Sequence, residues 1–211
     1  MEQLKLKLAT LGQQVRTDKT DYIKTFAALA NTTQPKAFEK AFRQWLVNAV
    51  HNVFEPNKNT NPQCLVLCDH PDEIMSAYSF ISTLTLMWGD LHDDFLKANQ
   101  RDIMELCSSR LIVGIDAYEW NDKTSIKLKQ LLSLDQLKYR KVYHKTAEIY
   151  PITASFILRT STPSTELPKN RFIQAFDVKK ETNDTMLSDF DFLDKVWGQA
   201  HQEHLSAALP F

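Results

Sequence analysis

Glycine is scarce in this chain: its 211 positions hold four, Gly12, Gly89, Gly114 and Gly198. Loops that cradle phosphates need glycine so that backbone N–H groups can approach the ligand closely. No GxGxxG, GxxxxGKS/T or GxSxG pattern occurs, which argues against the dinucleotide folds, mononucleotide-loop enzymes and elbow-type hydrolases. Cysteine is scarcer still. Cys64, Cys68 and Cys107 are an odd number without scaffold spacing, as suits a reducing compartment. On one strand face Cys64 and Cys68 would lie ~13 Å apart, too far for a disulfide or a shared metal. They read as small buried hydrophobes. Charge of one sign is also missing. A net charge of −1 and a pI near 6.6 give no overall field toward nucleic acid or anionic membrane. No stretch reaches the ~18 apolar residues of a membrane span, and "MEQLKLKLATL" has no continuous apolar core of a signal peptide. The expectation is a cytoplasmic protein without membrane insertion.

What is present suits a packed core, with 43% hydrophobic and 24% charged residues, close to the globular average. Leu4, Leu8, Leu11 and Val15 recur at steps of four, three and four, one apolar stripe on a short helix that must pack on something. A second helix from Asp18 to Ala30 carries Tyr22, Ile23, Phe26, Ala27 and Ala30. After the break "NTTQP", Pro35 suits the first turn of a third helix with a wide aromatic stripe, Phe38, Phe42, Trp45, Leu46, Ala49, Val50 and Val53. Residues 1–55 thus read as a helical N-terminal segment packed on the remainder. "EPNKNTNPQ" (55–63) is a linker, and residues 64–211 read as an α/β domain, the two forming one compact unit.

In that second part "CLVLCD" (64–69) and "RLIVGID" (110–116) are short apolar runs of buried strands. Helices are expected over 72–88, 90–108, 124–147 and from Ser188 to about Ala208. "ITASFILRT" (152–160) alternates like a half-exposed strand, and "RFIQAFDV" (171–178) is the last, joined by a loop that permits an antiparallel hairpin. The fold class is α/β (or α+β), a mixed sheet of about four strands covered by helices.

Candidate chemistry gathers at acidic residues. In "WGDLHDDF" (88–95), Gly89 suits a helix C-terminus, Asp90 an N-cap and Asp93 its capping-box partner. That structural reading is preferred to a metal site. The adjacent His92-Asp93 pair, with His70 upstream and Asp116 downstream, resembles the HD phosphohydrolase pattern, which implies a divalent metal within an all-helical fold. Here His70 follows a strand and Asp116 ends one, a departure from that family. Three strands end in Asp69, Asp116 and Asp177. Ligands of parallel α/β sheets bind beyond strand carboxyl ends, so these carboxylates could hold Mg²⁺ or Mn²⁺, with His70 or His92 as acid or base. The plainer reading is that aspartate ends strands and caps helices. His201 and His204 in "HQEH" could chelate zinc, but a solvated helix face is expected.

Two charge runs oppose each other. Residues 123–145 hold Lys123, Lys127, Lys129, Lys138, Arg140, Lys141 and Lys145 against Asp135, with Tyr139 and Tyr143 interleaved. Residues 69–105 hold eight acids against Lys97 and Arg101. Such asymmetry on a neutral chain favours protein partners. The expected function is a non-enzymatic interaction module, an adaptor, chaperone-like or structural subunit of an intracellular assembly. Its contact residues would be Leu4, Leu8, Leu11 and Val15, and it would have no resident cofactor or metal. The alternatives are a metal-dependent phosphohydrolase or nuclease using Asp69, Asp116 and Asp177, and nucleic-acid binding through the basic patch of Lys138, Arg140, Lys141 and Lys145.

Overall fold

Apolar spacing decides the first three helices. In the computed structural model, which describes residues 1–56, 59–69, 76–93, 99–140, 143–179 and 189–208, they are α1 (Glu2–Val15), α2 (Tyr22–Leu29) and α3 (Pro35–Phe54). Asp21 caps α2 by accepting from the Lys24 amide at 3.0 Å, and Pro35 opens α3, where a missing N–H costs nothing. The remaining elements are β1 (Cys64–Cys68), α4 (Ser76–Thr85), β2 (Gly89–His92), α5 (Gln100–Ser109), β3 (Ile112–Asp116), α6 (Asp122–Leu132), β4 (Gln136–Tyr139), β5 (Glu148–Pro151), β6 (Ser155–Thr160), β7 (Ile173–Asp177) and α7 (Phe190–Ala208).

Five strands form one parallel sheet in the order β2-β3-β6-β1-β7. Its two faces follow the period-two alternation of a strand. Leu65, Leu67, Ile112, Ile157 and Phe176 face a core shared with α1, α2, α3, α4 and α7. Cys64, Val66, Cys68, Val113, Ile115, Phe156 and Leu158 face a second core with α5, α6 and the β4–β5 hairpin. Burial on both sides is why these strands read as unbroken apolar runs. In the first core Phe26, Phe38, Phe42, Phe80 and Phe176 pack ring against ring at 4.8–5.9 Å. Truncating such a ring to alanine costs about 3–5 kcal/mol.

Helix α7 returns to the N-terminus and lies along α1. A Cβ on Gly198 would come within 2.5 Å of the Leu11 carbonyl oxygen, and one on Gly12 within 2.3 Å of His201 Nδ1. Half of the scarce glycines therefore serve this one close approach. A polar clamp adds to it. Arg43 of α3 pairs with Asp21 at 2.6 Å and with Glu203, and Gln199 donates to Asp21 at 3.1 Å and to Glu203 at 2.9 Å.

Several expectations need correction. The stretch 90–108 is not one helix. Its start is β2, which pairs with β3 in the register Gly89↔Ile112 through His92↔Ile115, so Gly89 and Asp90 are strand residues rather than helix caps. A Cβ on Gly89 would sit 2.6 Å from the Ile112 carbonyl oxygen, a closeness that glycine allows. The stretch 124–147 is α6 followed by an antiparallel hairpin, β4 pairing with β5 in the register Gln136↔Pro151 through Tyr139↔Glu148. Strands β6 and β7 do not form a hairpin; both run parallel to β1, one on each side. Strand β6 is buried at every residue, not half-exposed, because it lies at the centre of the sheet.

Candidate functional site

The parallel topology carries the ends of β1, β3, β6 and β7 to one edge of the sheet. Asp116 closes β3 directly opposite Arg159 of β6. Asp69 follows β1, its amide donating to the Thr160 carbonyl at 2.8 Å. Asp69 and Asp116 do converge, but on a guanidinium. Arg159 Nε donates to Asp69 Oδ2 at 2.5 Å, and Nη1 donates to both Asp116 oxygens at 2.8 Å. Asp69 Oδ1 also accepts from the Ala77 amide in the first turn of α4 at 2.8 Å, a favourable place for a negative charge. Burial raises the Asp69 carboxyl above its ordinary pKa, against the pull of Arg159 and the Ala77 amide. Asp177 turns away and accepts from the Ser164 amide at 2.8 Å and the Ser164 hydroxyl at 2.5 Å.

This arrangement differs from the expected gathering of three strand-end aspartates around a metal ion. The positive charge between Asp69 and Asp116 is supplied by Arg159, and Asp177 is committed elsewhere. His92 lies on edge strand β2, and His70 lies outside the described residues. Among the described residues no three His, Cys, Asp or Glu side chains gather as a metal-binding group. Arg159, which holds the cluster together, had no signal in the sequence that set it apart from Ser155 and Thr160, the other polar residues of its strand.

A second constellation forms where α5, β4 and the segment after it meet. They enclose an open groove of about 1040 Å³, walled by Arg101, Lys138, Arg140, Tyr143, His144 and Lys145. Tyr143 is 100% exposed and has φ 68°, a left-handed conformation uncommon for a large side chain. Tyr139 is buried beneath, its hydroxyl 2.8 Å from that of Ser108 and its ring 4.6 Å from Tyr150. Acids are few: Asp102 lies 3.8 Å from Arg101, and Glu148 lies 3.5 Å from His144. Among the described residues Lys138, Arg140 and Lys145 form no ion pair. The hairpin thus displays the predicted basic patch, apart from Lys141, which lies outside the described residues. Arg101 joins the groove although its sequence neighbourhood is acidic. Only the fold, which sets the start of α5 beside β4, brings it there.

The remaining predicted residues are spent internally. Leu8, Leu11 and Val15 are buried in the chain's own core, and Leu4 packs partly buried against it. The stripe that was to seek a partner meets α7. His201 and His204, expected on a solvated face, are 4% and 5% exposed. Phe54 lies 5.1 Å from the His201 ring and 5.6 Å from His204, and His51 lies 5.2 Å from His204. Burial lowers the pKa of both, and for His204 the neighbouring His51 and His201 lower it further.

No curated protein matches the chain. Among solved structures it is similar to the A form apo structure of the NrS-1 C-terminal region, with a TM-score of 0.54, 12% identity and coverage of 87% of this chain and 45% of that one. A second apo structure, of residues 305–718 of the same region, gives a TM-score of 0.51 at 10% identity, covering 88% of this chain and 44% of that one. The chain spans under half the length of these relatives, and at such identity the likeness is one of fold. The family model of the Virulence-associated protein E-like domain matches residues 12–208. These findings overturn the expectation of a non-enzymatic adaptor, chaperone-like or structural subunit, as does the burial of its supposed contact stripe. With all but its first eleven and last three residues matched, the chain belongs to the VapE-like domain family.

Proposed function

We propose that this domain binds nucleic acid in a replication-associated role, through the basic groove at the β4–β5 hairpin. The observation that carries the reading is the gathering of Arg101, Lys138, Arg140 and Lys145 around one open groove with a wholly exposed tyrosine at its lip. Cations neutralise phosphates and release counterions, and an exposed aromatic ring offers a face on which a base can stack. On a chain of net charge −1 this is a local field, which confines binding to one face. Membership of the VapE-like domain family supports the replication setting.

The test is fluorescence anisotropy with a labelled oligonucleotide across a salt series. Four phosphate contacts to these cations predict a slope of log K against log salt of about −3 for a single strand. Replacing Lys138, Arg140 and Lys145 with glutamine should flatten that slope by about 2 and weaken binding to all sequences alike. Binding that ignores salt, or a triple variant that binds as wild type does, would refute the reading.

A further inference from the structure

A second cleft opens beside the basic groove, sharing Gln100 and Met104 with it. It lies between α5 and α6, encloses about 480 Å³, and its walls are mostly apolar: Met104, Ile126, Leu131 and Leu134. Ile126 is 57% exposed and Leu134 39% exposed, so both are open to a ligand entering the cleft. Lys123 and Lys127, one helical turn apart on α6, stand at the rim, and Gln100 and Gln130 add amides to the lining.

We propose that this cleft receives an unpaired base of a single-stranded nucleic acid whose phosphates lie along the basic groove. The inference rests on the nucleic-acid reading above and names its substrate class. A duplex stacks its base faces away and presents only edges, so an apolar slot beside a phosphate-binding groove does nothing for it. A single strand exposes those faces, and each base buried against side chains strengthens binding. Lys123, exposed on α6, matches a phosphate flanking such a base. Glutamine amides, which both donate and accept, suit the edge of the inserted base. Continuity with the groove through Gln100 and Met104 lets one strand occupy both.

The experiment compares a single strand with a duplex of the same sequence, using the wild-type chain and an Ile126→Ser/Leu134→Ser variant. Both side chains are exposed, so the uncharged changes should leave the fold intact, as circular dichroism would check. The variant should lose about tenfold in affinity for the single strand, with the salt slope unchanged and duplex binding unaffected. A 2-aminopurine placed along the strand should brighten on binding to wild type, as it leaves its stack, and should not do so with the variant. If wild type binds no nucleic acid at any salt, the underlying reading fails and this inference with it. If it binds with the expected salt slope but treats strand and duplex alike, with no brightening and no effect of the cleft variant, the inference alone fails. Occupation of the cleft by an acidic apolar peptide that leaves oligonucleotide binding unchanged would likewise overturn it.

Discussion

Removing Arg159 should damage this protein far more than removing Asp116, the more exposed of the two carboxylates it holds. Its side chain is 4% exposed, that of Asp69 is 0% exposed and that of Asp116 16%. Arg159→Ala leaves Asp69 buried with a charge and only the Ala77 amide to answer it. Breaking a buried pair from one side costs about 3–5 kcal/mol, a large share of the roughly 5–15 kcal/mol that holds a domain folded. For a chain of 211 residues each kcal/mol moves Tm by about 2–4 °C, so a fall of about 6–20 °C is expected. Asp116→Asn should cost only about 1 kcal/mol, because that side chain reaches solvent and Arg159 keeps Asp69. The companion variant Asp69→Leu/Arg159→Met removes both buried charges and fills their space. It should return to within about 2 kcal/mol of wild type, since well-packed apolar replacements of buried pairs are near neutral. Urea unfolding followed by tryptophan fluorescence measures all three. The reasoning fails if Arg159→Ala costs under about 1 kcal/mol, or if the double variant is no more stable than Arg159→Ala.

Two further outcomes follow from burial. Cys68 and Cys107 are pushed up to about 12, and Cys64 is raised as well, all by removal from water. A thiol reagent at about pH 8 should therefore label none of the three in the native chain and all of them in denaturant. Fast native labelling of any one would contradict its place in the core. His201 and His204 have depressed pKa values, so below about pH 6.5 the unfolded chain takes up more protons than the folded one. The stability they permit is present above that pH and is lost as pH falls toward their folded values. Glu55, the acid beside His51, offsets this in part for His204. The urea midpoint should drop between about pH 7.5 and about pH 5.5, and His201→Phe/His204→Phe should reduce the drop. An equal drop in the double variant would assign it to other groups.

The legible parts of the fold are those where one physical signal acts alone. The leucine and aromatic stripes of α1, α2 and α3 are plain helical periodicity, and "CLVLC" and "LIVGID" are strands too apolar to lie anywhere but inside. Misreading begins where polar residues are buried by specific partners. Strand β6 looked half-exposed because Ser155, Arg159 and Thr160 are polar. Ser155 accepts from Asn61 at 2.7 Å, and Arg159 is neutralised by two aspartates. Strand β2 is only "GDLH", too short for any periodicity and opened by a residue that equally suits a helix end. The hairpin was hidden because Leu137 and Tyr139 point inward from a stretch otherwise dense in lysine and arginine. The basic patch was visible as composition. Its shape, and the recruitment of Arg101, needed the contact between α5 and β4, which has no sequence signature. The histidines of α7 misled for the same reason as β6: a polar residue type was taken as a sign of solvent.

The pairing of α1 with α7 joins the first and last helices of the domain in one interface. During synthesis, the first helix emerges with Leu8, Leu11 and Val15 uncovered. It stays so until a segment some 175 residues downstream has left the ribosome, a wait of roughly 10–40 s at ordinary elongation rates. Closure must therefore come late, and it spans nearly the greatest sequence separation the chain offers, which slows its formation. A nascent chain halted before Trp197 would leave the stripe of α1 sticky and uncovered, a ready target for chaperones or for aggregation.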